Sequence, residues 1–227
     1  DAGAKVDQFN DESIGDITFL LRGENRVNDL VSYSSPKIAD LVTLNVALQL
    51  GENRAASDNT ADQEKGLADT FYVSADFESG IFFGTLAYAD NERSALNDGT
   101  TVGADFIRAA GGVKMPMGLE LGALYQTASG IDQVGGAGGL PTAGDLEDKS
   151  WLVSAAYTVD AFKFKGQYGK TEGDVSDNSR DMFGLGVDYK LSKALTSQLY
   201  YISYKNETGA GVETDADAYG LAMVYSF

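Results

Sequence analysis

The sequence predicts an all-β fold, an antiparallel meander of about eleven strands, and three observations carry this prediction. Apolar and aromatic residues alternate with small or polar residues over segments of about ten residues, so that each set occupies one face of a strand. Glycine (27 residues) and tyrosine (12) are abundant while proline (3) is scarce, which is typical of many strands joined by tight turns. The connections between the segments are alternately short and long.

The elements follow one another in a regular order. Residues 1–26 do not follow the alternating pattern, and the strand meander is predicted over residues 27–227. Alternation is irregular in segments 81–91, 102–114 and 195–206, whose facing the pattern leaves open. The remaining strands are predicted at 27–34, 41–50, 70–77, 119–126, 150–159, 162–169, 183–189 and 219–227.

The connections divide into two sets. The short ones are 36–40, 79–80, 115–118, 160–161 and 191–194. The long ones, 51–68, 92–101, 129–149, 172–180 and 207–216, are acidic and rich in Gly, Asn and Ser. Short turns at one rim and long loops at the other are typical of transmembrane β-barrels.

The chemistry of the two faces favours a membrane barrel over a soluble barrel or sandwich. Periodicity alone does not say which face meets lipid. One face, however, carries too many large aromatic side chains to pack inside a single ring of strands, so we expect it to point outward. The smaller face carries glycines, hydroxyls, amides and charges, and we expect Arg108, Lys163 and Lys165 on it to line a pore.

Composition excludes several classes of function. The formal net charge of −17 over 227 residues repels nucleic acid, so no nucleic-acid partner is predicted. The chain has no cysteine and no histidine, which removes disulfides, thiolate chemistry, the usual general base and the commonest metal ligand. The acidic triads Asp174, Asp177, Asp181 and Glu213, Asp215, Asp217 lack the spacing of a calcium-binding loop. We therefore predict no enzyme, no cofactor and no metal site.

The last segment resembles the C-terminal assembly signal of bacterial outer-membrane barrels. Large apolar residues occupy every second position from Tyr219 to Phe227, and the strand ends on the aromatic pair Tyr225 and Phe227. A soluble domain seldom ends on an exposed aromatic residue. The resemblance implies that the outer-membrane lipid and the barrel assembly machinery are partners of this strand.

The run VDQFND (residues 6–11), LLRGENR (20–26) and VSYSSP (31–36) resembles the constriction loop and following wall strand of Gram-negative general diffusion porins. The resemblance implies an acidic loop carrying Asp7, Asp11 and Asp16, and pore-facing arginines at Arg22 and Arg26. Opposed carboxylates and guanidiniums create a transverse field that tunes ion selectivity. The alternative is that the two arginines pair with Glu24 and Asp29 on a solvated edge. The family's Pro-Glu-Phe loop tip is absent here.

The same resemblance implies a fold and a function for the chain. It implies a barrel of about sixteen strands, of which this chain supplies the last eleven or so, as an open sheet with two unpaired edges. The implied function is passive diffusion of ions and small hydrophilic solutes through the outer membrane, as a homotrimer. Acidic loops would share divalent cations with lipopolysaccharide. A substrate-selective channel and a structural or enzymatic barrel are the alternatives, and ion selectivity stays open.

Overall fold

A computed structural model describes residues 5–10, 12, 15–23, 29–50, 70–95, 101–129, 147–174 and 177–226, with the backbone alone at 91–95 and 101–103. It contains one antiparallel sheet of eleven strands that follow one another in chain order, as predicted. The strands are β1 Leu30–Ser34, β2 Val42–Gln49, β3 Thr70–Ser79, β4 Phe82–Ala95, β5 Thr101–Lys114, β6 Leu119–Ser129, β7 Glu147–Val159, β8 Phe162–Gly173, β9 Ser179–Lys190, β10 Leu195–Glu207 and β11 Glu213–Tyr225.

The sheet is open. In the described part of the chain β1 pairs only with β2 and β11 only with β10, so each presents one unpaired edge. This agrees with the open, two-edged sheet expected from the sequence. A β-bulge between Ala89 and Glu92 is the irregularity in the β4–β5 ladder.

The short connections have the turn chemistry that tight hairpins need. Asp160, the first residue of the two-residue turn between β7 and β8, adopts a left-handed φ of 51°, which aspartate tolerates better than most residues. Gly118, before β6, has a φ of 87°, and an added Cβ there would collide with the carbonyl oxygen of Thr158. These turns fix the register of their hairpins.

Four of the predicted long connections, 92–101, 129–149, 172–180 and 207–216, are shorter than the sequence suggested, because the strands continue into them. The β8–β9 ladder extends to the pair Glu172 and Ser179, and the β10–β11 ladder to the pair Glu207 and Glu213, all within segments that we predicted as loops. Polar cross-strand contacts replace apolar ones there, including Lys205–Glu213 at 2.9 Å. Backbone hydrogen bonding between strands does not require an apolar face, so the strands continue beyond the residues that show the alternating pattern. Most of the predicted loops 51–68 and 129–149 lies outside the described residues.

The two faces of the sheet have the chemistry and facing that the sequence predicts. The outer face is apolar and exposed: Leu121 and Tyr125 on β6 are 41% and 48% exposed, whereas Gln126, which points to the inner face, is 1% exposed. The irregular segments now have a definite facing, with Ile107 outward and Arg108 inward on β5. Within the described residues, no helix has the length and apolarity needed to cross a membrane.

The main hydrophobic core lies between the inner face and a segment that precedes the sheet. We call the described residues between positions 5 and 23 the inward segment; it includes a short 3₁₀ helix, Ile17–Phe19, capped by Asp16. Five of its apolar side chains are almost completely buried and pack with inner-face residues of the sheet, whereas Phe19 is 44% exposed. The cluster comprises Val6, Phe9, Ile17, Leu20 and Leu21 of the segment with Ala110, Leu124, Leu152, Met182, Ile202 and Tyr204 of the strands.

Candidate functional site

Glycines on the inner face make room for the apolar side chains of the inward segment. A Cβ added at Gly184 or Gly186 of β9 would lie 2.9 Å or 3.0 Å from ring carbons of Phe9, and one at Gly122 would lie 3.0 Å from Cβ of Val6. Gly169 stands against Leu20 in the same way. The glycines of this face therefore leave the space that the apolar side chains of the inward segment fill. A larger residue at Gly184 would displace the segment or the strand.

Side chains of the sheet also hold the backbone of the inward segment by hydrogen bonds. Gln167 of β8 accepts from the N–H of Gln8 and donates to the carbonyl of Gly15, both at 2.8 Å. Nearby, the hydroxyls of Ser154 and Thr171 donate to the carbonyls of Val6 and Leu20. Buried backbone carbonyls and N–H groups must find partners, and here the wall provides them.

The C-terminal end of the segment is fixed to β5 and β6. The carbonyl of Arg22 accepts from Nη2 of Arg108 at 3.3 Å and from Nε2 of Gln126 at 3.0 Å. Arg108 and Gln126 are bonded to each other, with Nε of the arginine 2.7 Å from Oε1 of the amide. Arg180 and Tyr204 donate to the carbonyl of Phe19 in the same manner. Strands β5 to β10 thus each contribute at least one anchor.

A buried ion-pair triad joins the segment to β8 and β9. Nζ of Lys165 lies 2.6 Å from Oε1 of Glu12 and 3.2 Å from Oδ1 of Asp188, and it also stands 4.8 Å from the ring centroid of Phe9. Lys165 is 6% exposed. Burial raises the pKa of Glu12, and the hydrogen bond and charge of Lys165 oppose that rise. The cation is shared between two carboxylates in a site with little solvent.

Asp7 and Asp16 organise the inward segment itself. The two carboxylate oxygens of Asp7 accept from the backbone N–H groups of Phe9 and Ile17, at 2.9 Å and 3.0 Å, and so close the segment into a loop. Burial raises the pKa of Asp7 to about 6, against the lowering effect of these bonds. Asp16 caps the 3₁₀ helix by accepting from the N–H of Thr18 at 2.8 Å.

The residues that we predicted for the site fall into four groups. Asp7 and Asp16 lie in the inward segment, and so does Arg22, which we expected on the wall strand that follows. On the inner face Arg108 and Lys165 are mostly covered by that segment, whereas Lys163 is partly exposed and pairs with Glu120 at 3.6 Å. Tyr225 ends β11 on the outer face and is 65% exposed. Asp11, Arg26 and Phe227, like Glu24 in the alternative pairing, lie outside the described residues. The pore roles of all these residues stay predictions.

Sequence reasoning missed most of the anchors. Gln126 and Gln167 carry no motif, and only their place on the smaller face of predicted strands distinguishes them. Thr171 lies beyond the predicted strand 162–169, and Tyr204 lies in a segment whose facing the pattern leaves open. Glu12 stands in the acidic run that suggested a loop, but nothing local in the sequence connects it to Lys165, 153 residues away.

One part of the inner face carries a row of polar side chains beside a cavity. Across β1 to β4, Ser34 donates to Asn45 at 2.7 Å, Asn45 donates to Oδ2 of Asp76 at 2.8 Å, and Thr85 donates to Oδ1 of Asp76 at 2.6 Å. We call these four residues the polar row. The cavity has a volume of about 240 Å³ and touches Gly23, the end of the inward segment. Among the described residues no group of three or more acidic side chains is arranged to hold a metal ion.

Comparison with known proteins gives a consistent result. The model of the Gram-negative porin family matches residues 2–209. The fold is similar to an anion-selective porin from Comamonas acidovorans (TM-score 0.66, 16% identity, 88% of this chain and 60% of that chain). It is also similar to the outer-membrane channel DcaP of Acinetobacter baumannii (0.66, 15%, 87% and 62%) and to OmpT of Vibrio cholerae (0.58, 15%, 86% and 64%). The chain thus spans less than two thirds of each of these structures. No curated protein sequence matches it significantly.

Proposed function

The chain belongs to the Gram-negative porin family of the bacterial outer membrane, and we propose that the protein forms a water-filled channel for passive diffusion of ions and small hydrophilic solutes. The observation that carries the proposal is the opposite chemistry of the two faces. The outer face exposes large apolar side chains that suit lipid, and the inner face presents polar groups that suit water. This arrangement is the reverse of a soluble barrel, whose apolar face points inward.

The inward segment is the proposed constriction. It rests on the inner face of β5 to β10 through one or more hydrogen bonds to each strand, which supports a fixed obstacle within the lumen. Residues 1–26 would then form the constriction unit and residues 27–227 the wall. We propose that Asp7, Asp11 and Asp16 on one side and Arg22 and Arg26 on the other shape the field there. Lys163, Arg108 and Lys165 contribute positive charge from the wall.

The proposed partners follow from the faces and rims of the sheet. Lipid covers the outer face, and the end of β11 with Tyr225 and Phe227 serves as the signal for the assembly machinery. A trimer is the proposed assembly, in line with the trimer form reported for in-vitro folded OmpT of Vibrio cholerae. Acidic residues at the long-connection rim, such as Asp215 and Asp217, would share divalent cations with lipopolysaccharide. The family supports a channel rather than an enzyme.

The test is single-channel recording of the full-length protein in planar bilayers, with Arg22→Ala and Arg26→Ala as variants and Lys193→Ala, at an exposed turn, as the matched control. We expect stepwise ohmic conductance. Removing a confined guanidinium lowers the local anion concentration, so the reversal potential in a salt gradient should shift toward cations in the two arginine variants and not in the control.

Two results would contradict the proposal at different levels. A sealed barrel would overturn the channel and favour a structural or enzymatic barrel. An open channel whose selectivity ignores both arginines would keep the function and reject the constriction residues. Saturation of the current by one class of solute would favour the substrate-selective alternative.

A further inference from the structure

The cavity beside the polar row has two chemically different ends. Three neighbouring strands place apolar residues side by side toward the long-connection rim, since Tyr72, Ala89 and Phe106 are register partners. The ring of Tyr72 packs against the buried cluster that contains Ala89 and Phe106. Phe106 in turn lies against Gly23, where an added Cβ would be 3.1 Å from the ring. This end of the cavity is an apolar and aromatic floor.

The other end is acidic. Asp76 and Thr85 are register partners on β3 and β4, and Asp76 stands four residues from Tyr72 on the same face of β3. Two residues span roughly 7 Å along a strand, so the carboxylate is roughly 13 Å from the aromatic position along the chain, with Ser74 between them. The cavity extends over both ends, because Tyr72, Phe106, Ser74 and Asp76 all line it.

Neutral side chains of neighbouring strands hold the carboxylate of Asp76. Its two oxygens accept from the neutral donors Asn45 and Thr85. Among the described residues, no lysine or arginine forms an ion pair with it. Among the described residues that line the cavity, Arg108 is the basic one, and its guanidinium already donates to Gln126 and to the carbonyl of Arg22 while being 8% exposed. A carboxylate held by neutral donors in an open cavity attracts a cation from solution.

We propose that this cavity is a binding subsite for small organic cations, with the ammonium group on Asp76 and an apolar or aromatic body against Tyr72 and Phe106. The aromatic rings provide contact area for the body of the solute, and the hydroxyls of the polar row accept further N–H donors from its ammonium group. This inference rests on the proposed channel only for its biological role, which would be to retain such cations as they diffuse through the channel. Binding itself does not require an open pore.

The experiment measures binding of benzylammonium to the full-length protein in detergent by isothermal titration, with benzyl alcohol as the neutral probe of similar shape. The variant is Asp76→Asn, and Asp160→Asn, at the exposed turn between β7 and β8, is the matched control. A charge-assisted contact outweighs a neutral one, so we expect Asp76→Asn to lose about tenfold or more in affinity for benzylammonium and the control to lose nothing. Benzyl alcohol should bind weakly to all three proteins.

Because Asp76 accepts two hydrogen bonds, Asp76→Asn is checked for folding by its gel-mobility shift on heating. Tyr72→Leu serves as a second variant that leaves the carboxylate in place, and it should weaken benzylammonium several-fold. Equal binding to the wild type and both variants, or equal binding of the neutral probe, would overturn the subsite. The same proteins are then recorded in bilayers. If the barrel is sealed but binding depends on Asp76, the subsite stands and the channel proposal is rejected. If the channel is open but benzylammonium does not bind, the channel proposal stands and the subsite is rejected.

Discussion

Lys165 has a structural role that its place in the sequence did not predict. Its predicted role in lining a pore stays a prediction, and in the structure its ammonium group is buried between Glu12 and Asp188 and lies near the ring of Phe9. A buried cation with two carboxylate partners gives little net stability compared with apolar packing, but removing it leaves the two acids together without compensation. Lys165 is therefore an anchor of the inward segment.

Lys165→Met should destabilise the folded protein by about 3–5 kcal/mol, because Glu12 and Asp188 then face each other in a buried site. The measurement is the midpoint of the heat-induced gel-mobility shift. Lys163→Met is the control on the same strand and face, where the lysine pairs with Glu120 in a partly exposed position, and it should have a small effect. Equal losses in the two variants would show that the triad has no special role.

At the scale of the element, β9 shows why glycine recurs on the inner face. Gly184 and Gly186 leave the space that the ring of Phe9 fills, and Phe9 also meets Tyr200 of β10 edge-on, with ring centroids 6.5 Å apart. In many strands glycine weakens the sheet, and here that cost is offset by the burial of a complete aromatic side chain. The glycines of β9 and the ring of Phe9 are thus complementary in shape.

Gly184→Val should displace Phe9 and loosen the inward segment, at a cost of about 1–3 kcal/mol from overpacking. Gly84→Val is the matched control, since a Cβ at that outer-face position would meet only Ala110 O at an ordinary 3.5 Å. Limited proteolysis of the folded protein should then cut within residues 5–23 faster in Gly184→Val than in the wild type or the control. Unchanged cleavage in Gly184→Val would mean that Phe9 does not hold the segment in place.

The strands were predictable because the alternation of apolar and polar residues along each strand reflects the two environments that its faces meet. Alternation at residues 119–126 predicted both β6 and the outward facing of Leu121 and Tyr125. The ends of the strands were not predictable, since the polar pair Lys205–Glu213 extends a ladder beyond the apolar pattern. The anchors were not predictable either, because a contact such as that of Gln167 with Gly15 spans 152 residues and leaves no local periodicity.

For the whole molecule, the two faces of the sheet must meet different solvents. Adjacent residues of β10 provide a direct comparison, since Leu199 is 56% exposed on the outer face while Gln198 points to the inner face. Leu199→Lys should weaken folding into lipid vesicles by about 2–4 kcal/mol, because a lysine on the lipid side of a barrel is costly near the bilayer midplane.

Gln198→Lys, which adds the same charge one residue away, should have little effect on folding because its side chain faces water. Urea titrations of folding into vesicles measure both variants. A larger loss for Gln198→Lys than for Leu199→Lys would invert the assignment of the two faces and with it the membrane orientation of the entire sheet.

The inward segment precedes in the chain every strand that holds it, and its bonds to the wall span from 86 residues at Arg108 to 185 at Tyr204. Contacts of such long range form late, because the intervening chain must first be ordered. The last of its anchors along the chain lies on β10, the tenth of the eleven described strands. In the proposed channel, a wall without β10 would therefore leave the inward segment incompletely held, and the passage would acquire its final width only after β10 has joined the sheet.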